Sequence, residues 1–441
     1  MLDAARPLRK DALAPTGAHV ESYYAATVAE HTVGAPLVGS ASCDVCIVGG
    51  GFTGLSAALH LARRGAKVIL LEQARLGWGA SGRNGGQVHV GMRRNQFWLE
   101  AQLGNDTARA HWQLALRARE HLDHLIQVYS IQCDLRPGLI HADHTRRYAQ
   151  YSARYVEHLN RVYGYDSARV VEAEEMRQLV ATHDYVGGYL DLRGGHLHPL
   201  NFALGIARAA RASGALLHEH SEVTGVTARA SGWQVSTRKA MVTAQQVVLA
   251  GNGYLRGISN NVAAHVMPIN NFIAVTEPLG EARAAALIRG GYAVSDSRFV
   301  IYYFRITPDH RLLFGGGENY SYRFPRDIAA YVRKHILRLF PQLAAVKLDY
   351  AWGGTLAITP NRMPFVRELE PGLMNASGYC GKGVVLAPYV GKVVANAILG
   401  DRAEFDLLSA IPVPRFPGGA RLRTPTLMVG MSLAALRDRL P

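Results

Sequence analysis

Between Asp44 and Glu72 the apolar positions change period twice. Val45-Cys46-Ile47-Val48 and Val68-Ile69-Leu70-Leu71 are short unbroken apolar runs and read as strands. Between them Leu55, Ala58, Leu59 and Ala62 make a helical stripe, and Gly65 ends it. Further on, Ala110, Leu114, Leu122, Leu125 and Ile126 recur at helical spacing, which predicts an amphipathic helix over 105–129 with those residues inward. Further helices are expected near 143–163, 201–213 and 384–399. Strands are expected at 216–219, 224–228, 233–236 and 247–249, the last returning to the first sheet. Residues 259–345 alternate β-branched and aromatic runs with short turns, and 299–306 with 311–314 read as a hairpin around Pro308-Asp309.

The first strand, turn and helix carry a Gly-x-Gly-x-x-Gly series at Gly49, Gly51 and Gly54, and the second strand ends on Glu72. That is the whole context of a dinucleotide fingerprint. Gly49 permits the sharp turn, Gly51 lets backbone approach a pyrophosphate, and Gly54 lets the helix pack close to the sheet. The helix N-terminus, with Phe52 and Thr53, offers free N–H groups to phosphate. Glu72, followed by Gln73, is placed to accept hydrogen bonds from ribose hydroxyls, which argues against a 2′-phosphate there. An adenine dinucleotide is implied, NAD or FAD.

A second glycine cluster decides between them: Gly79-Ala80-Ser81-Gly82-Arg83-Asn84-Gly85-Gly86-Gln87. This run resembles the FAD-dependent amine and amino-acid oxidase family that contains sarcosine oxidase, glycine oxidase and D-amino-acid oxidase. Within that family it is most similar to the gamma-glutamylputrescine oxidase group. The likeness extends through Ser22-Tyr23-Tyr24 with Ala25-Ala26-Thr27, Val247 to Asn252, Tyr350-Ala351-Trp352-Gly353-Gly354, Ser377 to Gly383, and Phe416 to Gly419 with Arg423-Thr424-Pro425. It implies an α/β chain (α+β overall): a Rossmann-type FAD-binding domain and a discontinuous substrate domain built on an antiparallel sheet. The expected segmentation is an N-terminal extension over 1–35, an FAD-binding part over 36–88, 169–258 and 346–412, a substrate part over 89–168 and 259–345, and a tail over 413–441.

The same resemblance implies that Gly79, Ala80, Ser81, Arg83, Asn84, Gly85, Gly86 and Gln87 line the pyrophosphate and flavin. Val223 would hold adenine, Gly251 and Asn252 would make a second flavin contact, and Gly353, Gly378, Gly381, Lys382, Gly383 and Val384 would close over the ring. The helix from Val384 would aim its positive end at the flavin O2 locus. The implied reaction oxidises the C–N bond of an amine by hydride transfer to flavin N5, giving an imine that hydrolyses, with oxygen reoxidising the cofactor to give hydrogen peroxide. Gamma-glutamylputrescine or a related polyamine conjugate is the nearest substrate. A cyclic or N-methyl amino acid such as pipecolate, an amine dehydrogenase feeding a quinone or carrier, and a flavin-binding subunit without turnover are the alternatives.

Candidates for catalytic contact are Lys382, Tyr303 and Trp352. Lys382 stands where many relatives have a histidine, and either steadies negative charge or reaches solvent. Tyr302, Tyr303 and Arg305 are the substrate-binding candidates; alternation puts Tyr303 and Arg305 on one face and Tyr302 on the other. Sarcosine oxidase relatives carry a lysine on a strand near the flavin, and Leu312-Leu313-Phe314-Gly315 offers none. Their covalent cysteine also lacks a counterpart, since Cys380 lies in the glycine loop, so noncovalent FAD is expected.

Composition narrows the rest. The chain has 441 residues, 49% apolar, enough for a large core in two lobes. No window of eighteen apolar residues lacks charge, so no transmembrane helix is expected, no apolar signal core precedes Asp44, and four cysteines suit a reducing cytoplasm. Cys43 and Cys46, three apart on a strand, should point to opposite faces and form neither disulfide nor metal site. The formal charge of +14 is spread as arginine pairs on helices (Arg63-Arg64, Arg93-Arg94, Arg146-Arg147) rather than in a basic run, so nucleic acid is not expected as a partner. His121 with His124, and His196 with His198, share faces without the acids or cysteines a metal needs. The apolar Thr426-to-Leu436 segment between Arg421, Arg423, Arg437 and Arg439 is expected to dock on the protein or touch a membrane surface. Oligomeric state is left open.

Overall fold

The structure is a computed structural model, and it describes residues 17–29, 33–255, 257–319 and 324–419, the side chains of Glu318 and Asn319 excepted. The apolar tail segment and its flanking arginines lie outside the described residues.

Two sheets organise the chain. The first has the strand order Phe365–Glu370, Leu373–Ser377, Ala240–Leu249, Gly39–Val48, Val68–Leu71, Leu216–His218. Its inner strands run parallel, with Val48 beside Leu71 on one side and Leu249 on the other. Val45 to Val48 and Val68 to Leu71 are all buried, as parallel strands covered on both faces require. Val223–Ala228 and Trp233–Thr237 add an antiparallel pair to Ala240–Leu249. The helices Phe52–Ala62 and Gly383–Ile398 pack on one another beside this sheet. Their contact is close because Gly391 has no side chain: a Cβ there would stand 2.4 Å from the Thr53 carbonyl oxygen.

The second sheet has nine strands in the path Leu348–Ile358, Met267–Thr276, Leu312–Asn319, Tyr303–Ile306, Ala293–Asp296, Arg136–Asp143, Gly187–His196, Gln87–Val88, with Ala168–Val171 beside Gly187–His196. It is antiparallel except where Ala293–Asp296 runs parallel to Arg136–Asp143. The two-sheet α/β architecture is the expected one, but the strands divide differently from the expected segmentation. Gln87–Val88, Ala168–Val171, Gly187–His196 and Leu348–Ile358 pair within the second sheet, whereas segment boundaries read from the sequence gave most of them to the FAD-binding part. Strand partners are chosen across long sequence distances, which local pattern does not encode.

The helices form close to their expected positions, as Asn105–Val128, Arg146–Tyr163 and Pro199–Ala212. Ala110 is only half-buried; the inward face of its helix runs instead through Ala108, His111, Trp112, Leu114 and Ala115. The hairpin is shorter than expected, because residues 299–302 stay outside the strand.

Cys43 and Cys46 correct another expectation. The amides of Asp44 and Val45 both donate to the Lys67 carbonyl, a bulge that breaks strict alternation. The two thiols come close enough to couple electrostatically, both free and both buried. The arginine pair Arg93-Arg94 is likewise no helix face: both lie in the loop before Gln96–Leu103, where their Nε atoms donate to the carbonyls of Cys380 and Asn361. Among the described residues, no single helix is long and apolar enough to cross a membrane.

Gly391→Val drives a side chain into the Thr53 carbonyl, and overpacking of this kind costs about 1–3 kcal/mol or more. The midpoint of thermal unfolding should fall by several degrees. Gly225→Ala, where an added Cβ meets nothing within 4 Å, should leave it unchanged.

Candidate cofactor and active site

At the C-terminal ends of the parallel strands a cleft of about 560 Å³ opens, the place where doubly wound sheets bind nucleotides. Val48, Gly49 and Leu71 form its floor, and Gly51, Phe52 and Thr53 bring in the start of the fingerprint helix. Gly51 is the N-cap of that helix and supplies no capping side chain of its own, so the helix N-terminus faces the cleft. Gly49 has φ of +112°, and a Cβ there would stand 2.9 Å from Ala250 backbone. At Gly54 a Cβ would come within 2.0 Å of the Gly49 carbonyl oxygen. Gly49 and Gly54 are therefore required by close approach to backbone, Gly54 for packing rather than for lining, while Gly51 lies against Ser81 Oγ.

Glu72 and Gln73 line the next stretch with Glu222 and Val223. Glu72 is buried, and its carboxylate accepts from the amides of Gly50 at 2.6 Å and Ala74 at 2.9 Å. Burial raises its pKa, and those amides oppose the rise. The acid is thus held by backbone at the cleft wall, with lone pairs left over for a ribose.

The second glycine cluster folds over the cleft through Gly79, Ala80, Ser81 and Asn84. Ser81 Oγ accepts from the Phe52 amide at 2.9 Å, tying the loop to the fingerprint helix. Asn84 Nδ2 donates to Ala80 and Ser81 carbonyls, and its Oδ1 accepts from Gly86. Arg83, Gly85, Gly86 and Gln87 do not line the cleft but hold the loop in place. Arg83 donates from Nε to the Trp78 carbonyl and from Nη1 to Gly353, and its guanidinium lies 4.0 Å over the Trp78 ring. Gln87 donates to the Val294 carbonyl, and a Cβ at Gly86 would strike the Leu197 carbonyl.

The far wall comes from Gly251, Asn252, Thr355 to Ala357, Tyr379 to Gly381, Gly383, Val384 and Ala387. Asn252 Oδ1 accepts from the Gly378 amide, and Tyr379 hydroxyl shares a 2.7 Å hydrogen bond with Thr53 Oγ1. Gly353 and Gly378 stay behind this wall. The sequence reading missed Trp78, Glu222, Tyr254, Thr355 to Ala357 and Tyr379 as lining residues. Trp78, Thr355 and Tyr379 lie in or beside segments of family likeness and could have been named from them, whereas Glu222 and Tyr254 are brought in by the tertiary fold.

FAD fits this cleft by observations internal to it. The glycines leave room where a Cβ would block, and a helix N-terminus faces in. Two buried donors around it, Trp78 Nε1 and Arg83 Nη2, have no protein partner.

The candidates outside the cleft divide. Tyr302 is buried in the second sheet's core, its hydroxyl bonded to His335 and its ring against Phe314, so it is no substrate contact. Tyr303 lies on the opposite face, over Gly85 and Gly315, and its hydroxyl donates to Asn271 Oδ1. Arg305 shares that face but is not open to a substrate carboxylate. It is 3% exposed and donates to the carbonyls of Gly85 and Leu197 and to Tyr24 hydroxyl. Trp352 is likewise a buried support, donating Nε1 to the Arg83 carbonyl and packing edge-on against Tyr24. Lys382 caps the Gly383–Ile398 helix by its backbone position, and its side chain turns inward to donate to the Val90 carbonyl at 3.4 Å. Burial, with Arg93 nearby, brings Lys382 down to about 7, and Asp191 opposes the drop.

The chain matches the FAD dependent oxidoreductase family over residues 44–397. It is 39% identical to gamma-glutamylputrescine oxidoreductase of Escherichia coli, covering 96% of this chain and 99% of that protein. It is also 39% identical to the probable oxidoreductase OrdL of Rhizobium meliloti, over 95% of this chain and 97% of that one. Glycine oxidase from Geobacillus kaustophilus superposes with a TM-score of 0.69 at 23% identity, covering 84% of this chain and all (100%) of that one. L-proline dehydrogenase from P. horikoshii superposes at 0.68, 21% identical, over 84% and 96%.

Gly51→Val fills the space beneath the pyrophosphate and should weaken FAD binding a hundred-fold or more, read as colourless protein with unchanged circular dichroism. Acid precipitation of the wild type should leave the yellow colour in the supernatant, because Cys380 Sγ is buried and already donates to the Gly378 carbonyl. Fingerprint, cleft and a family match across most of its length agree: this chain belongs to the FAD-dependent oxidoreductase family.

Proposed function

We propose that this protein oxidises the C–N bond of an amine, with gamma-glutamylputrescine or a related polyamine conjugate as substrate and oxygen as electron acceptor. One observation carries the reading. Gly381 and Gly383 line the cofactor cleft, while Lys382 between them turns toward the second sheet, within charge range of Asp191 on the strand Gly187–His196. Lys382 thus stands between the cofactor cleft and the second sheet, which supports a substrate on one side of it reaching a cofactor on the other. The near full-length likeness to gamma-glutamylputrescine oxidoreductase supports the substrate class.

Bound FAD supplies the capacity to take up hydride from the carbon next to nitrogen. The chain holds, orients and excludes water. Ser81, Asn84 and Arg83 fix the loop over the cleft. Tyr303 packs against Gly85 of that loop from the sheet side and is the one member of its strand's candidates that is half-buried rather than buried. The Gly383–Ile398 helix brings its N-terminal residues Gly383, Val384 and Ala387 to the cleft, and its dipole favours negative charge there. The amine must be neutral to release hydride, and a low-dielectric site lowers its pKa by desolvation.

Anaerobic mixing of the purified holoenzyme with gamma-glutamylputrescine should bleach the flavin band, and admitting air should restore it with one hydrogen peroxide per turnover. Bleaching by pipecolate but not by the conjugate would move the substrate to cyclic amino acids. Bleaching without recolouring in air would make the protein a dehydrogenase.

A further inference from the structure

Beside Lys382 the second sheet builds a polar and aromatic chamber to which none of the motifs leads. His89 follows the strand Gln87–Val88, His141 lies on Arg136–Asp143, Tyr189 on Gly187–His196, and Tyr155 on the helix Arg146–Tyr163. His141 stacks on Tyr189 with centroids 4.2 Å apart and planes 16° from parallel. His89 stands 5.5 Å from His141, and Tyr155 stands 6.4 Å from Tyr189.

Two features mark this as a ligand space rather than packed core. Burial pushes both imidazoles well below their ordinary range and both phenols up, yet all four side chains and Lys382 remain partly accessible. In addition, His89 Nδ1 is buried with no hydrogen-bond partner, and such an atom in a native fold calls for a ligand or water. The row of rings continues from Tyr155 to Phe97, 5.5 Å away, and Phe97 lines a surface recess with Tyr151, Arg154 and Glu157.

We infer that this chamber receives the reacting end of the amine, with His141, held by Tyr189, and His89 accepting hydrogen bonds from its nitrogen and Lys382 taking its proton. The inference rests on the proposed amine oxidation and names the subsite for it. Substrate arrives as an ammonium ion. One N–H bond of the ammonium breaks, a new N–H bond forms on neutral Nζ of Lys382, and the amine keeps its lone pair. No electrons leave either molecule in that step. Neutral imidazoles suit it, since each offers a ring nitrogen as acceptor without repelling the cation. The charged or titratable groups around Lys382 are His89, His141, Arg93 and Asp191. Arg93, whose Nε donates to the Cys380 carbonyl, favours the neutral lysine, and Asp191 favours the charged one. With Lys382 near 7, the acceptor is neutral above that pH and filled below it.

Two readouts test this. tert-Butylamine has no hydrogen on the carbon next to nitrogen, so it occupies the subsite without being oxidised. It should shift the flavin absorption band of the wild type, and His141→Ala should raise its dissociation constant ten-fold or more while leaving bound FAD and the resting spectrum unchanged. His141→Gln, which keeps an acceptor, should recover part of that loss. In anaerobic bleaching by gamma-glutamylputrescine, Lys382→Met should slow flavin reduction a hundred-fold or more and abolish its fall below pH 7. Wild-type affinity in His141→Ala together with wild-type bleaching in Lys382→Met would overturn the chamber while leaving amine oxidation intact. A wild-type flavin that no amine bleaches would instead overturn the functional reading, and the chamber with it.

Discussion

Backbone stands so close to backbone at the mouth of the first sheet that side chains are excluded there, and the cofactor site depends on this. Gly54 lies against the Gly49 carbonyl, Gly49 against Ala250, and Gly391 against Thr53. These approaches seat the fingerprint helix and the Gly383–Ile398 helix on one another and on the parallel strands, with both N-termini at the same cleft. A pyrophosphate and a flavin would lie between two helix ends that both present partial positive charge.

A second layer of support is made by buried cations. Arg305 and Arg83 are 3% and 4% exposed. Burying a guanidinium costs several kcal/mol unless its donors are met. Here Arg305 meets carbonyls from the flavin loop and from Leu197, and a hydroxyl from the N-terminal segment. Arg83 joins Trp78 to Gly353. Trp352 and Tyr24 pack onto this set, so the lead-in segment, the second glycine cluster and the second sheet are locked together. Removing one member would leave a buried donor or charge unpaired, which is costlier than the loss of a contact. The arginine and tryptophan that looked like site residues thus act one step behind the site.

Lys382 stands apart from these cations. It is half-buried rather than buried, and its ammonium has a carbonyl at 3.4 Å and lies among histidines, Arg93 and one aspartate. A lysine so placed changes protonation near neutrality, where an arginine does not. Buried supports and a titrating group are therefore separated by residue type as well as by position.

The fingerprint from Asp44 to Glu72 and the run from Gly79 to Gln87 were legible in the sequence because their chemistry is local. A turn needs glycine where φ is positive or backbone crowds, a helix needs its stripe, and a ribose-facing acid needs to end its strand. Tyr303 and Arg305 were correctly set on one face, since alternation is also local. What Arg305 would bond was not legible, because Gly85, Leu197 and Tyr24 arrive from segments 108 to 281 residues away. The meeting of Cys43 with Cys46 depended on a bulge set by Lys67. His89, His141, Tyr189 and Lys382 lie in four separate segments with no shared spacing; the pairing of the second sheet's strands gathers the first three, and the loop before Gly383–Ile398 brings Lys382 to them. Local sterics and periodicity fixed the dinucleotide fingerprint, and the likeness of the Gly79-to-Gln87 run narrowed it to FAD; long-range strand pairing decided which side chains surround the space beside it.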